Sequence, residues 1–305
     1  MTEMTLVTDG LNFPEGPVPL RDGRIVVVEI KTGTITAISP DGTKEVVATT
    51  GGGPNGAAIG PDGKLYVCNN GGFEWHDYNG VLVPGEQPEE YIGGRIQRVD
   101  LDTGAVEDLY TECNGIGLRG PNDLVFDAHG GLWFTDHGKV RPREMDRGGL
   151  YYAKADGSQI TEVVYPLASP NGVGLSPDGG VVYVAETHAG RLWSWDVESP
   201  GVLTGPSATP DRLLYDFPGY QVLDSLAVDG EGNICVATLI AGAITVVSPA
   251  GELVAVHPVP EYDPLVTNIC FGGADHRTAY ITSSGLGRLY SMPWPNAGLQ
   301  LQHEA

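Results

Sequence analysis

Six residues with oxygen-bearing side chains recur at equivalent places in this sequence: Glu15, Asn55, Asn122, Asn171, Asp224 and Asn268. Each is the third residue of a similar window: "FPEGPVPLRDGRIVVVEI", "GPNGAAIGPDGKLYVCNN", "GPNDLVFDAHGGLWFTDH", "SPNGVGLSPDGGVVYVAET", "VLDSLAVDGEGNICVATL" and "VTNICFGGADHRTAYITSS". Amide and carboxylate oxygens are the hard donors that Ca²⁺ takes, and two carboxylates among four amides balance its charge. Gathered in one place, these side chains would hold a divalent cation, most readily Ca²⁺, with Zn²⁺, Mn²⁺ or Mg²⁺ as other occupants. For Asn55 and Asn268 a second reading stays open, because asparagine also caps strand ends and bonds nearby backbone. Glu15 does not fit that reading: glutamate is a poor turn former, and this one lies between Pro14 and Pro17.

The elements that would bring the six together can be read from the same windows. Each runs as a short apolar strand, a turn containing Asp and usually Gly, and a second apolar strand, which is a β-hairpin signal repeated six times. The six positions are 40, 67, 49, 53 and 44 residues apart, a mean of about 51, which is the length of a four-stranded propeller blade. The fold expected is all-β, a single six-bladed propeller over residues 1–305 built of four-stranded antiparallel blades. Fourteen residues precede Glu15 and 37 follow Asn268, together one more period. The N-terminal "MTLVT" is therefore expected to supply the outer strand of the last blade and close the ring.

In a propeller the first strand of each blade lines the central channel, so the six positions would ring one mouth of it. About 14 residues later each second strand returns to the same face, at Glu29, Asn69, Asp136, Glu186, Thr238 and Thr282. These are expected to form a second ring of the mouth. His137 and His188 come one and two places further on, placed for substrate contact or proton transfer. The longest spacing comes from an insertion at 69–94, with Phe73, Trp75, His76, Tyr78 and Tyr91 among glycines. It is expected to be a flexible, lid-like loop offering Trp75, His76 and Tyr78 to substrate. The basic stretch "KVRPREMDR" at 139–147 is expected to be a solvated loop.

Composition narrows the classes. The net charge of -22 opposes phosphate backbones and anionic membrane surfaces, so neither nucleic acid nor membrane is expected as a partner. Forty-four glycines and 23 prolines fit many strands joined by turns. Cys68, Cys113, Cys235 and Cys270 form no CxxC pair and read as free thiols. The start has neither a basic nor an apolar leader region, and no run approaches membrane-spanning length, so a cytoplasmic monomer or small homo-oligomer is expected. GxSxG and Walker patterns are absent, which argues against a serine-hydrolase elbow or a P-loop nucleotide site.

With "PEGP", "GPNDLVFDAHGGLWFTD", "SPNGVGLSPDGGVVYVAET", "LDSLAVD" and "VTNICFGG" in this order, the chain resembles the gluconolactonase, regucalcin and luciferin-regenerating-enzyme family of six-bladed propellers. It is also similar to squid-type diisopropylfluorophosphatase. The resemblance implies one divalent cation, often Ca²⁺, on Glu15, Asn171 and Asp224. Asn122 would be a further ligand or a substrate contact. It also implies hydrolysis of a lactone, with Asp224 as general base; His137 and His188 are the other candidates for that role. Regucalcin-like members carry an arginine two places before Asn122. Here that place is Gly120, with Arg119 beside it, a departure that weakens any claim to sugar lactones and leaves Arg119 as a substrate contact. A phosphotriesterase using the same cation, or a calcium-stabilised binding module without catalysis, are the rival readings.

Overall fold

The computed structural model describes residues 3–206 and 212–304. Six antiparallel sheets follow one another along the chain, and each has its first strand on the inside. Blade 1 consists of Pro14–Pro19, Ile25–Glu29, Thr34–Ile38 and Lys44–Thr49, and blade 2 of Pro54–Ile59, Leu65–Asn69, Arg95–Val99 and Val106–Tyr110. Blades 3 to 6 begin at Pro121–Phe126, Pro170–Leu175, Leu223–Val228 and Val266–Gly272. These six inner strands contact their neighbours in order, and that of blade 6 packs on that of blade 1, so the sheets form a ring. The strand Thr5–Thr8 pairs antiparallel with Arg288–Pro293 of blade 6, Thr5 opposite Ser291.

Period-two alternation explains why these strands are apolar on both faces. In blade 1, Val26 and Val28 pack toward blade 2 with Ile59, Leu65 and Val67, while Ile25 and Val27 pack the other way with Leu289 of blade 6. The core is accordingly six separate clusters, one at each blade interface. Cys68, Cys113 and Cys235 are buried in these layers, and all four cysteines are free thiols. Among the described residues no helix is long and apolar enough to cross a membrane.

The glycine that follows Glu15, Asn55 and Asn171 has a packing reason. Gly16 adopts φ +47°, and a Cβ there would lie 2.5 Å from the Asn55 carbonyl oxygen; a Cβ on Gly172 would lie 2.9 Å from that of Asp224. Glycine after the oxygen-bearing residue lets the next inner strand approach backbone to backbone. Beneath the mouth, a mostly apolar axial cavity of about 120 Å³ reaches the opposite end, where Leu299, Leu301 and His303 of the C-terminal tail line it. The period of the sequence gave no hint of that tail.

Candidate active site

All six inner strands break their ladder register at or beside the oxygen-bearing residue, between Glu15 and Val18 in blade 1, Pro121 and Leu124 in blade 3, and Pro170 and Val173 in blade 4, for example. Such irregularities re-aim side chains. Glu15, Asn55, Asn122, Asn171 and Asn268 are buried, and Asp224 is half-buried. Four of their oxygens are buried without a hydrogen-bond partner: Glu15 Oε1, Asn55 Oδ1, Asn122 Oδ1 and Asn171 Oδ1. Each such orphan costs free energy unless something meets it.

The ring also carries strained charge. Burial, opposed by hydrogen bonds from Asn268 and Gly16, raises the pKa of Glu15. Burial and then the charge of Glu15 push Asp224 well above the usual carboxylate range, although the Asn171 side chain bonds it. Asp123, next to Asn122, is pushed up to about 7 by burial and the Glu15 charge. Three crowded carboxylates and four unpartnered oxygens are what a divalent cation would relieve, so the residues present fit the group. Among the described residues His, Cys, Asp and Glu form no group of three or more able to hold a metal. Any cation here would thus depend on asparagine amide oxygens, a donor set suited to Ca²⁺.

Asn268 is set apart from the other asparagines. Its Oδ1 accepts from the Ile269 N–H and its Nδ2 donates to Glu15 Oε2, so it holds Glu15 rather than presenting a free oxygen. The backbone-bonding reading is the right one for this residue, while Asn55 keeps its Oδ1 unpartnered.

The expected second ring is corrected. Glu29, Asn69, Asp136, Glu186, Thr238 and Thr282 sit where the 14-residue offset puts them but are buried in the fold. Glu29 accepts from the Asn12 N–H at 2.6 Å, Asn69 from Gly53 at 3.0 Å, Asp136 from Arg119 and Gly120 at 2.7 Å each, and Glu186 from Ala168 at 2.6 Å. Each of these four clamps the chain just before an inner strand, whereas Thr238 donates to the Ala243 carbonyl and Thr282 shares a hydrogen bond with the Thr267 hydroxyl. The reason is register: Glu29 lies opposite Pro14, Asn69 opposite Pro54, Asp136 opposite Pro121 and Glu186 opposite Pro170. They share the proline's face, and the oxygen-bearing residue one place on points the other way.

His137 and His188 do come together, their rings 5.9 Å apart and edge to face. His137 is half-buried and His188 exposed. Burial, and then the neighbouring His188, push His137 down to about 3, and burial lowers His188 as well. Arg119 is fixed through its backbone, its N–H on Asp136 and its carbonyl accepting from the Tyr91 hydroxyl at 2.6 Å, and its side chain is exposed.

The 69–94 segment is more structured than a flexible loop. Its middle is a hairpin, Trp75–Tyr78 with Val81–Pro84. Leu82 N–H bonds Gly285 in blade 6, Gln87 N–H bonds the Val140 carbonyl in the blade 3 connection between Gly131–Asp136 and Gly148–Lys154, and the Trp75 ring lies 5.2 Å from that of Phe13, at the start of blade 1. Trp75 is half-buried, whereas His76 and Tyr78 on the same strand are exposed. Phe13 itself adopts φ +60°, a left-handed backbone held beside the site.

The expectation of a solvated 139–147 loop fails at its first residue. Lys139 is 1% exposed, and its Nζ donates to the Gly72 carbonyl at 2.6 Å and Asn70 Oδ1 at 3.1 Å, with the Phe73 ring centroid 3.7 Å away. Sequence gave no signal for it, because a lysine in a basic run reads as solvated.

Fold and site together define a six-bladed propeller with an oxygen-lined channel mouth. The chain belongs to the family described as SMP-30/Gluconolactonase/LRE-like region, whose model matches residues 13–285. A lactonase, drp35 of Staphylococcus aureus, is 29% identical over 262 residues, which is 85% of this chain and 71% of the relative. Among solved structures, a gluconolactonase from Xanthomonas campestris superposes with a TM-score of 0.76 at 22% identity, covering 96% of this chain and 90% of that one. A calcium-binding protein, regucalcin, from Agrobacterium tumefaciens gives 0.73 at 19% identity, with 97% and 96% covered.

Proposed function

We propose that the protein hydrolyses a lactone with the help of one divalent cation, most readily Ca²⁺, at the ring of the channel mouth. The observation that carries this reading is the set of buried, unpartnered oxygens on Glu15, Asn55, Asn122 and Asn171. These atoms and the Asp224 carboxylate would hold the cation. When bound it would supply Lewis acidity, polarising the ester carbonyl and offsetting the negative charge that develops on its oxygen. The names of the drp35 lactonase and the Xanthomonas gluconolactonase support the same class of reaction.

The remaining steps fall to the chain's own groups. Asp224 has solvent-facing surface at the ring, so its carboxylate is placed to take the proton of the attacking water. Water oxygen bonds to the acyl carbon, the ring C–O bond breaks, and the same proton passes to the departing alkoxide, leaving a hydroxy acid. His137, held near 3, is too weak a base for that transfer and stays neutral; with His188 it orients the substrate. Asn122 stands between cation and substrate. The 69–94 segment acts as a lid, with Trp75 as an apolar wall and His76, Tyr78 and Arg119 as polar contacts at its edge. An apolar wall favours lactones that carry an apolar substituent over sugar lactones. The pairing of Thr5–Thr8 with blade 6 keeps the ring closed, and we place the protein in the cytoplasm.

The test is lactone hydrolysis over sugar, aliphatic and aromatic lactones, with metal-stripped protein and Ca²⁺, Mg²⁺, Mn²⁺ or Zn²⁺ restored. Turnover that needs the cation and is lost in Glu15→Gln and Asp224→Asn supports the reading. Folded, cation-binding protein that turns over none of the panel overturns it.

A further inference from the structure

Lys139 presents a physical puzzle that the reaction above does not use. A fully buried ammonium is costly, and a methionine of similar length would fill the space without that cost. What the ammonium alone provides is direction. It points donors at the Gly72 carbonyl and Asn70 Oδ1 on the incoming arm of the 69–94 segment, lies over the Phe73 ring, and has the Tyr91 ring of the outgoing arm at 5.7 Å. Asn70 Oδ1 also accepts from the Gly72 N–H at 2.9 Å, which curls the arm around the cation. From Phe73 the contacts continue to Trp75, 6.3 Å between rings, and from Trp75 to Phe13, two residues before Glu15.

Resting on the lactone reading, we propose that Lys139 is a positioning residue for specificity: it pins both arms of the lid so that the Phe73 and Trp75 wall stands ready over the channel mouth for the apolar substituent of a lactone. Lys139 hydrogen-bonds neither the oxygen-bearing side chains of the channel mouth nor the substrate. The lid is thereby ordered before substrate arrives, so the ordering entropy is not charged against binding. The lid of Lys139→Met should keep its hairpin but lose its register on the mouth.

The experiment uses the full-length, Ca²⁺-supplied protein as wild type, Lys139→Met and Phe73→Leu, the second keeping an apolar side chain while removing the ring under the ammonium. Hydrogen exchange below pH 7, where Lys139 holds its proton, reads the lid directly, at the Glu74 and Gly85 amides that bond across its two arms. Lys139→Met should speed exchange there about tenfold or more, the worth of a charged hydrogen bond, with blade amides unchanged, and Phe73→Leu should shift it in the same direction by less. Kinetics read the wall: in Lys139→Met the KM for a long-chain alkyl lactone should rise about tenfold with kcat within about twofold, while an unsubstituted lactone is unaffected. Unchanged lid exchange in both variants overturns the anchoring role. Equal loss on both lactones overturns the specificity role. If wild type turns over no lactone, the catalytic reading falls and the exchange result still decides the anchor.

Discussion

Glu15 and Asn268, 253 residues apart in the chain, meet in one buried hydrogen bond, with Asn268 Nδ2 donating to Glu15 Oε2 at 2.6 Å. The Gly16 N–H donates to the same oxygen at 2.8 Å, so Oε2 is fully engaged and Oε1 is left aimed without a partner. The first and last blades thus share one carboxylate, and the orientation of that carboxylate depends on the ring being closed.

Asn268→Ala should therefore act on the cation without removing a ligand. Partners that orient a ligand typically contribute about 10- to 100-fold in metal affinity. We expect Ca²⁺ affinity by calorimetric titration to fall within that range, and Glu15→Gln to cost more. Equal affinity in Asn268→Ala and wild type would show that Glu15 needs no such support.

Crowded carboxylates and orphaned oxygens should also make stability depend on the cation. Free ligand at 100 times its dissociation constant adds about 2.7 kcal/mol to the folded state. Thermal unfolding in chelator against Ca²⁺ should thus show a higher midpoint with Ca²⁺, and the difference should largely vanish in Glu15→Gln. A midpoint indifferent to chelator would count against a cation at the ring.

Two candidates for the proton transfer are separated by their surroundings. His137, pushed down to about 3, is a poor acceptor at neutral pH, whereas Asp224 offers a carboxylate with solvent-facing surface at the ring. Asp224→Asn should lower kcat by about 10²- to 10⁴-fold, as loss of a general base does. His137→Gln should raise KM and leave kcat within about tenfold. The reverse pattern, measured under saturating lactone, would transfer the role to the histidine.

What the sequence made legible follows from where the repeat is strict. The oxygen-bearing residue sits at one place in each hairpin, so its location at the channel mouth was readable from spacing alone, as was the blade count. The register breaks that aim these side chains were not readable, because a bulge shifts a side chain by one residue without changing composition. Glu29, Asn69, Asp136 and Glu186, expected at the mouth, lie elsewhere for a different reason: each pairs with the proline one place before the oxygen-bearing residue, so it faces the other way and is found clamping backbone. Lys139 was hidden for another reason: its burial is created by Phe73 and Tyr91, 66 and 48 residues earlier, and nothing local marks it.

Lys139 also sets a pH dependence that can be worked out in sign. Burial lowers it from the usual lysine range to about 7, against the pull of Asp136 and Asp146; His137 and the Tyr91 hydroxyl are the other titratable groups nearby. Between about pH 7 and the ordinary lysine value of about 10.4, the unfolded chain holds a proton that the folded chain has released. Folding stability attributable to this residue must then rise with pH across that window, by up to about 1.4 kcal/mol per pH unit, and it is weakest below pH 7. Lys139→Met removes the titration. Chemical denaturation of both proteins at pH 7, 8 and 9 should show the wild type gaining on the variant as pH increases. A difference that stays flat would mean that the ammonium keeps an ordinary pKa and that its cavity is wetter than its 1% exposure indicates.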